Sequence, residues 1–144
     1  MDHVVYCDAQ SQELALLISG KKTMIIRSAT GRKLPYGRVQ TGDTLYFINN
    51  NAEGVIKGSG TVRSVFFSEP LTPEASKQLV QLSQDKLQLC SKQINRWAGK
   101  RYVTLVEVLD VKEIDPFSID KSEFGNMDDW LLVGDIQKYI NPAV

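Results

Sequence analysis

The sequence predicts an α+β fold: a small, mostly antiparallel β-barrel with helices packed outside it. Three observations carry this. Runs that read as strands outnumber helical ones: HVVYC, TMIIR, GDTLYFIN, VIKGSGTVRSVFF and YVTLVEVLDVKEI. Helical spacing of apolar residues is confined to a short stretch after HVVYC and a longer one after Pro73. The strands follow one another without the regular strand–helix–strand rhythm of a doubly wound parallel sheet. The 144 residues fit one domain, 1–144.

The elements follow in order. After HVVYC, Asp8 or Ser11 can cap a short helix whose apolar face is Leu14, Leu17 and Ile18. Gly20 suits the position just past its end, where a positive φ costs glycine little. TMIIR alternates, so Thr23, Ile25 and Arg27 share one face of a strand. SATGRKLPYGRVQTGD, rich in glycine and poor in apolar residues, is a long loop. NNNAEG separates two strand-like runs, which predicts a hairpin. Gly58 or Gly60 predicts a bulge in the long strand that follows. Thr72 can cap a helix with Pro73 in its first turn. The five-residue step from Leu82 to Leu87 predicts a bend or a second helix before the run ends at Gly99. After YVTLVEVLDVKEI, the segment to Val133 reads as loop and GDIQKYI as a last helical turn, with Trp130 an anchor for this tail.

Composition narrows the function. At 42% hydrophobic and 24% charged residues the chain reads as an ordinary globular protein. No apolar run approaches the roughly 20 residues that span a bilayer, and the N-terminal stretch does not read as a signal peptide. The expected location is the cytoplasm, with Cys7 and Cys90 as thiols. The single histidine, His3, sits near the terminus, which argues against an interior Ser-His-Asp triad and a histidine metal site. No phosphate-binding glycine motif is present. Neither a metal nor a cofactor is expected.

Net charge is zero, but the charges are in blocks. Lys21, Lys22, Arg27, Arg32, Lys33 and Arg38 follow one another with no acid between them, as do Lys86, Lys92, Arg96, Lys100 and Arg101. From Lys112 to Asp135 the sign reverses. A basic face for a polyanion is one reading, and solvated surface is the other. Lys21 and Lys22 follow a helix end, where cations complement the dipole. Arg27 suits a phosphate or carboxylate clamp, or an ion pair with a residue such as Asp43. Trp97 lies within Arg96-Trp97-Ala98-Gly99-Lys100-Arg101, an interleaving of bases and an aromatic ring fit for stacking RNA bases. It also ends the apolar stripe from Leu87. Asp128 and Asp129 read as an acid pair at a helix start.

Gly20, Lys22 and Arg27 fall on the G-x-K-x-x-E-x-R pattern at a helix-to-strand junction, and Gly42-Asp43 opens a later strand. On these residues the chain resembles the ASCH domains of the PUA-like superfamily over residues 3–112. The resemblance implies a PUA-like β-barrel associated with RNA. Ile25 stands where the pattern has glutamate. The amidohydrolase branch of the family, which deacylates modified cytidine, is thought to use the motif lysine, a threonine three residues later and a downstream glutamate. Lys22 matches, Ile25 occupies the threonine position, and Thr23 is two residues out of place. Lys22 and Thr23 are thus the candidate catalytic residues, and whether the chain is an enzyme stays open.

The expected function is a PUA-like module that recognises single-stranded or modified RNA through a basic cleft. Its candidate contacts are Lys21, Lys22, Arg27, Arg32, Lys33, Arg38, Arg96, Trp97, Lys100 and Arg101. The loop 28–41 is expected to bring Arg32, Lys33 or Arg38 near Lys22. One alternative is an amidohydrolase acting on acylated cytidine or a similar nucleoside. Another is a protein-interaction domain using the acidic segment. RNA or a nucleoside is the expected ligand, and no membrane partner is expected.

Overall fold

The structure, a computed structural model, describes residues 1–124 and 129–141. The strands are β1 (Asp2–Cys7), β2 (Met24–Ala29), β3 (Thr44–Asn49), β4 (Val55–Phe67), β5 (Tyr102–Ser118) and β6 (Trp130–Gly134). Helix α1 (Glu13–Ser19) joins β1 to β2. Helices α2 (Pro73–Leu82), α3 (Gln84–Leu87) and α4 (Ser91–Trp97) join β4 to β5. The strands form one sheet in the order β2-β5-β4-β3-β1-β6. The β1–β3 pair is parallel and the other pairs are antiparallel. The result is an α+β half-barrel. Among the described residues no helix is long and apolar enough to cross a membrane.

Local signals explain most of these elements. Gly20 ends α1 at φ 81°, its N–H donating to Leu17 O. Thr72 accepts from the Ala75 N–H at 3.2 Å, with Pro73 in the first turn. The expected cap of α1 differs: Asp8 accepts the Gln10 N–H at 3.1 Å in a turn upstream, and Gln12 in the left-handed region precedes the helix.

β4 and β5 curl because their pairing shifts register three times, between Ile56 and Gly58, Ser59 and Thr61, and Val62 and Ser64. Gly58 also admits α1: a Cβ there would stand 3.2 Å from Leu14 Cδ1 and from the Lys112 carbonyl. Leu14 and Leu17 therefore fill the sheet's concave side with Val5, Ile25, Phe47, Val106 and Trp130. The adjacent Ile26 points to the opposite face, where α2–α4 pack with Val80, Leu87 and Trp97. Ile25 thus belongs to the core, and an apolar residue fits there where the ASCH pattern has glutamate.

One expectation fails near the end of the chain. The segment to Val133, expected as loop, ends in the strand β6 (Trp130–Gly134) against β1. Near the other end, His3 is fully buried. Its Nε2 lies 2.8 Å from Asp43 Oδ2, and Trp130 Nε1 donates to its Nδ1 at 3.0 Å. An indole N–H only donates, so Nδ1 must accept and Nε2 must carry the proton. His3 is thereby held neutral. The other ring nitrogen is spent on Trp130, which leaves neither nitrogen for the nucleophile of a triad. Asp43, a possible partner for Arg27, is occupied by His3 and by the Gln40 N–H at 2.9 Å.

Burial lowers the His3 pKa below its ordinary 6.5, and the Asp43 hydrogen bond opposes this incompletely. Below pH 6.5 the unfolded chain therefore binds a proton that the folded one refuses. The resulting stability is complete above 6.5 and is lost as pH falls from there through the folded-state value. Urea midpoints are expected to drop between pH 7 and pH 5. In His3→Gln that dependence should flatten, because His3 is the only histidine. A wild-type midpoint that holds or rises on acidification would contradict the neutral tautomer.

Candidate functional site

Arg27 occupies the gap between the two ends of the sheet. It follows Ile25 on the concave face of β2. Nη1 donates to the carbonyl of Ile26 at 2.7 Å, and Nη2 to the carbonyl of Tyr6 on β1, also at 2.7 Å. Tyr6 is where β1 outruns its partner: its N–H donates to Asp129 O at 3.0 Å, just before β6 begins. The guanidinium satisfies the carbonyl beside it. Two indoles flank the same group, with centroids 5.2 Å (Trp97) and 5.8 Å (Trp130) from Cζ.

Two adjoining pockets open at this point, sharing Arg27, Trp97 and Asp129. One, of ≈ 50 Å³, is also lined by Tyr6, Asp8, Glu13, Asn50, Lys92, Gln93 and Arg96. The other, of ≈ 20 Å³, continues past Ser28, Gly31, Lys33, Tyr36, Tyr102 and Thr104. Aromatic rings and cations alternate along this cleft. Arg96 lies 4.3 Å from the Trp97 centroid. Arg32 lies 5.6 Å from that of Tyr102 and 5.9 Å from that of Tyr36. Arg101 lies 5.5 Å from that of Tyr102. The loop is fixed both from outside and from within: Tyr36 donates its hydroxyl to Ser68 O just past β4 at 2.5 Å, and within the loop Arg38 N donates to Pro35 O at 2.8 Å.

The adjacent lysines separate. Lys21 is exposed, whereas Lys22 is 2% exposed. The Lys22 ammonium donates to the carbonyl of Leu87 at the end of α3. Burial lowers its pKa; the charge of Glu13 opposes the shift and that of Arg27 adds to it. Glu13, also buried, accepts from Gln93 Nε2 at 2.7 Å through Oε2, while its Oε1 has no hydrogen-bond partner among the described residues. Gln93 Oε1 accepts the Cys90 N–H at 3.1 Å. Cys7 shares this interior; burial pushes its thiol well above the ordinary range, and the Glu13 charge adds to the effect.

The candidate residues therefore fall into groups. Arg27, Lys33, Arg96 and Trp97 line the cleft, and Arg32 and Arg101 stack on its Tyr102 wall. Lys21, Arg38 and Lys100 are exposed and line neither pocket. Lys22 and Thr23 line neither pocket, and Lys22 is buried rather than at the rim. The loop brings Lys33 beside Arg27, not beside a lysine at a rim. Trp97, 8% exposed, is both a core anchor under α4 and a wall of the cleft. Asp129 pairs with Arg96, and Asp128 lies outside the described residues. Among the described residues no cluster of His, Cys, Asp or Glu could hold a metal ion.

Tyr36, Tyr102, Glu13 and Gln93 escaped the sequence reading. The two tyrosines could have been found by extending the search for aromatic-and-basic neighbours to Arg101-Tyr102 and Arg32-to-Tyr36. Glu13 carried no such signal, since an acid in a first helical turn is ordinary.

No protein-family model and no curated protein matches the chain. Solved structures do. The chain is similar to the crystal structure of ASCH from Zymomonas mobilis, with TM-score 0.66 and 15% identity over 95% of this chain and 91% of that one. Two single-residue variants of that protein give TM-scores of 0.66 and 0.67 at 15% and 14% identity, again over 95% of this chain and over 94% and 92% of theirs. The likeness is one of fold: the half-barrel is ASCH-like.

The burial of Lys22 sets an expectation for its removal. Lys22→Ala should lose about 2–5 kcal/mol in urea denaturation, from the cavity left behind and the orphaned Leu87 carbonyl. Lys21→Ala should stay within about 0.5 kcal/mol of wild type. Equal stability of the two variants would show that the Lys22 ammonium is not buried.

Proposed function

We propose that the chain is a PUA-like RNA-binding module that takes single-stranded or modified RNA along the Arg27–Trp97–Tyr102 cleft. The observation that carries this reading is the alternation of guanidinium groups and aromatic rings. Single strands are bound by the same pairing: rings stack on bases, and cations track the phosphates. The cleft's acids are already engaged, Asp129 by Arg96, Glu13 by Gln93 and Asp8 by the Gln10 N–H. The ASCH-like fold is consistent with the reading.

A fluorescent single-stranded RNA titrated by anisotropy across a salt series tests it. Log K should fall linearly with log salt. Lys33→Ala and Arg101→Ala, both at exposed positions, should each lower the slope by about 0.7, the value for one phosphate contact on a single strand. Absence of binding at low salt, or binding indifferent to salt, would overturn the reading.

A further inference from the structure

The face of Trp97 that a base would use is already covered. The Arg96 guanidinium lies 4.3 Å from the indole centroid, and its Nη2 donates to Asp129 Oδ2 at 2.5 Å. The pair straddles the point where the two pockets meet, since Asp129 and Trp97 line both. With the pair closed, the pockets of ≈ 50 and ≈ 20 Å³ hold a few waters, not a nucleobase.

The contact imitates what RNA would offer. A guanidinium lies over the indole where a base would stack, and a carboxylate holds that guanidinium as a phosphate would. It is also built to open. The Arg96 side chain is 51% and that of Asp129 29% exposed, and ion pairs this open are weak. The ring beneath is held independently: the Trp97 carbonyl accepts from Ser28 Oγ at 2.6 Å, and Arg27 lies 5.2 Å from the centroid. Asp129 is likewise fixed by its own backbone bond to Tyr6.

We propose that the Arg96–Asp129 pair is an autoinhibitory strap over Trp97. A phosphate of a single-stranded RNA takes Arg96 from Asp129, and a base takes the vacated face of the indole. The inference rests on the RNA reading of the cleft. Asp129 then sets the affinity without touching the ligand, because the phosphate must outcompete it for Arg96.

Asp129→Asn tests the strap. Two measurements separate it from the added charge, with Asp8→Asn as a control that makes the same charge change beside the same cleft and leaves the strap intact. The first is acrylamide quenching of the free protein. Trp130 is 1% exposed, so quenching reports Trp97. It should rise in Asp129→Asn and not in Asp8→Asn. The second is anisotropy with a single-stranded RNA. Asp129→Asn should bind about two- to five-fold more tightly than wild type, the range an exposed ion pair can contribute, and Asp8→Asn should gain less. Arg96→Ala should bind more weakly, with the salt slope lowered by about 0.7. Unchanged quenching in Asp129→Asn, or RNA binding equal to or weaker than wild type, overturns the strap and leaves the RNA reading standing. No RNA binding by wild type or any variant overturns both.

Discussion

One side chain joins the two ends of the sheet. Strands β2 and β6 are the terminal strands, and the Arg27 guanidinium reaches from β2 to the Tyr6 carbonyl beside the start of β6. Taking this cation out of water costs several kcal/mol. Two carbonyls at 2.7 Å and two indole rings offset that cost through charge-assisted hydrogen bonds and cation–π attraction. Lysine carries the same charge but lacks the planar fork that spans both carbonyls. Position 27 therefore needs arginine for its shape.

The site grows out of this closure. The residues that gather around Arg27 come from four elements: Tyr6 from β1, Trp97 from α4, Trp130 from β6 and its own β2. The same group that binds the half-barrel together thus forms the floor of the cleft. Beside it lies a buried polar layer of Lys22, Glu13 and Gln93, of which Glu13 and Gln93 also line the cleft. Its acid comes from α1, because Ile25 of the strand faces the apolar core. The layer's charged groups are held by neutral partners, Lys22 by the Leu87 carbonyl and Glu13 by the Gln93 amide.

How much of this was legible in the sequence depends on the range of the interactions. Elements fixed by near neighbours were readable: Gly20 ending α1, Thr72 capping α2, the glycine bulges of β4 and the valine-rich β5. Arg27, Lys33, Arg96 and Trp97 stood among the candidate contacts, but which of them share one cleft was not readable, and the expected meeting of the loop with Lys22 does not occur there. What escaped depends on distant partners. The hydrogen bond that buries Lys22 spans 65 residues, and those that bury His3 span 40 and 127. Short apolar runs such as WLLVG become strands only when an edge such as β1 is available to pair with them, and no local pattern records that edge.

Arg27→Lys followed by native-state hydrogen exchange tests the closure at Arg27 most directly. The Tyr6 amide bonds to Asp129 beside the Arg27 link, while the amides joining β3 to β4 lie in the middle of the sheet. If the guanidinium fork closes the half-barrel, Arg27→Lys loses protection at Tyr6 and along β6 at conditions where the β3–β4 amides keep theirs. If protection at Tyr6 and β6 matches wild type, the sheet closes without Arg27, and the central role given to this residue is wrong.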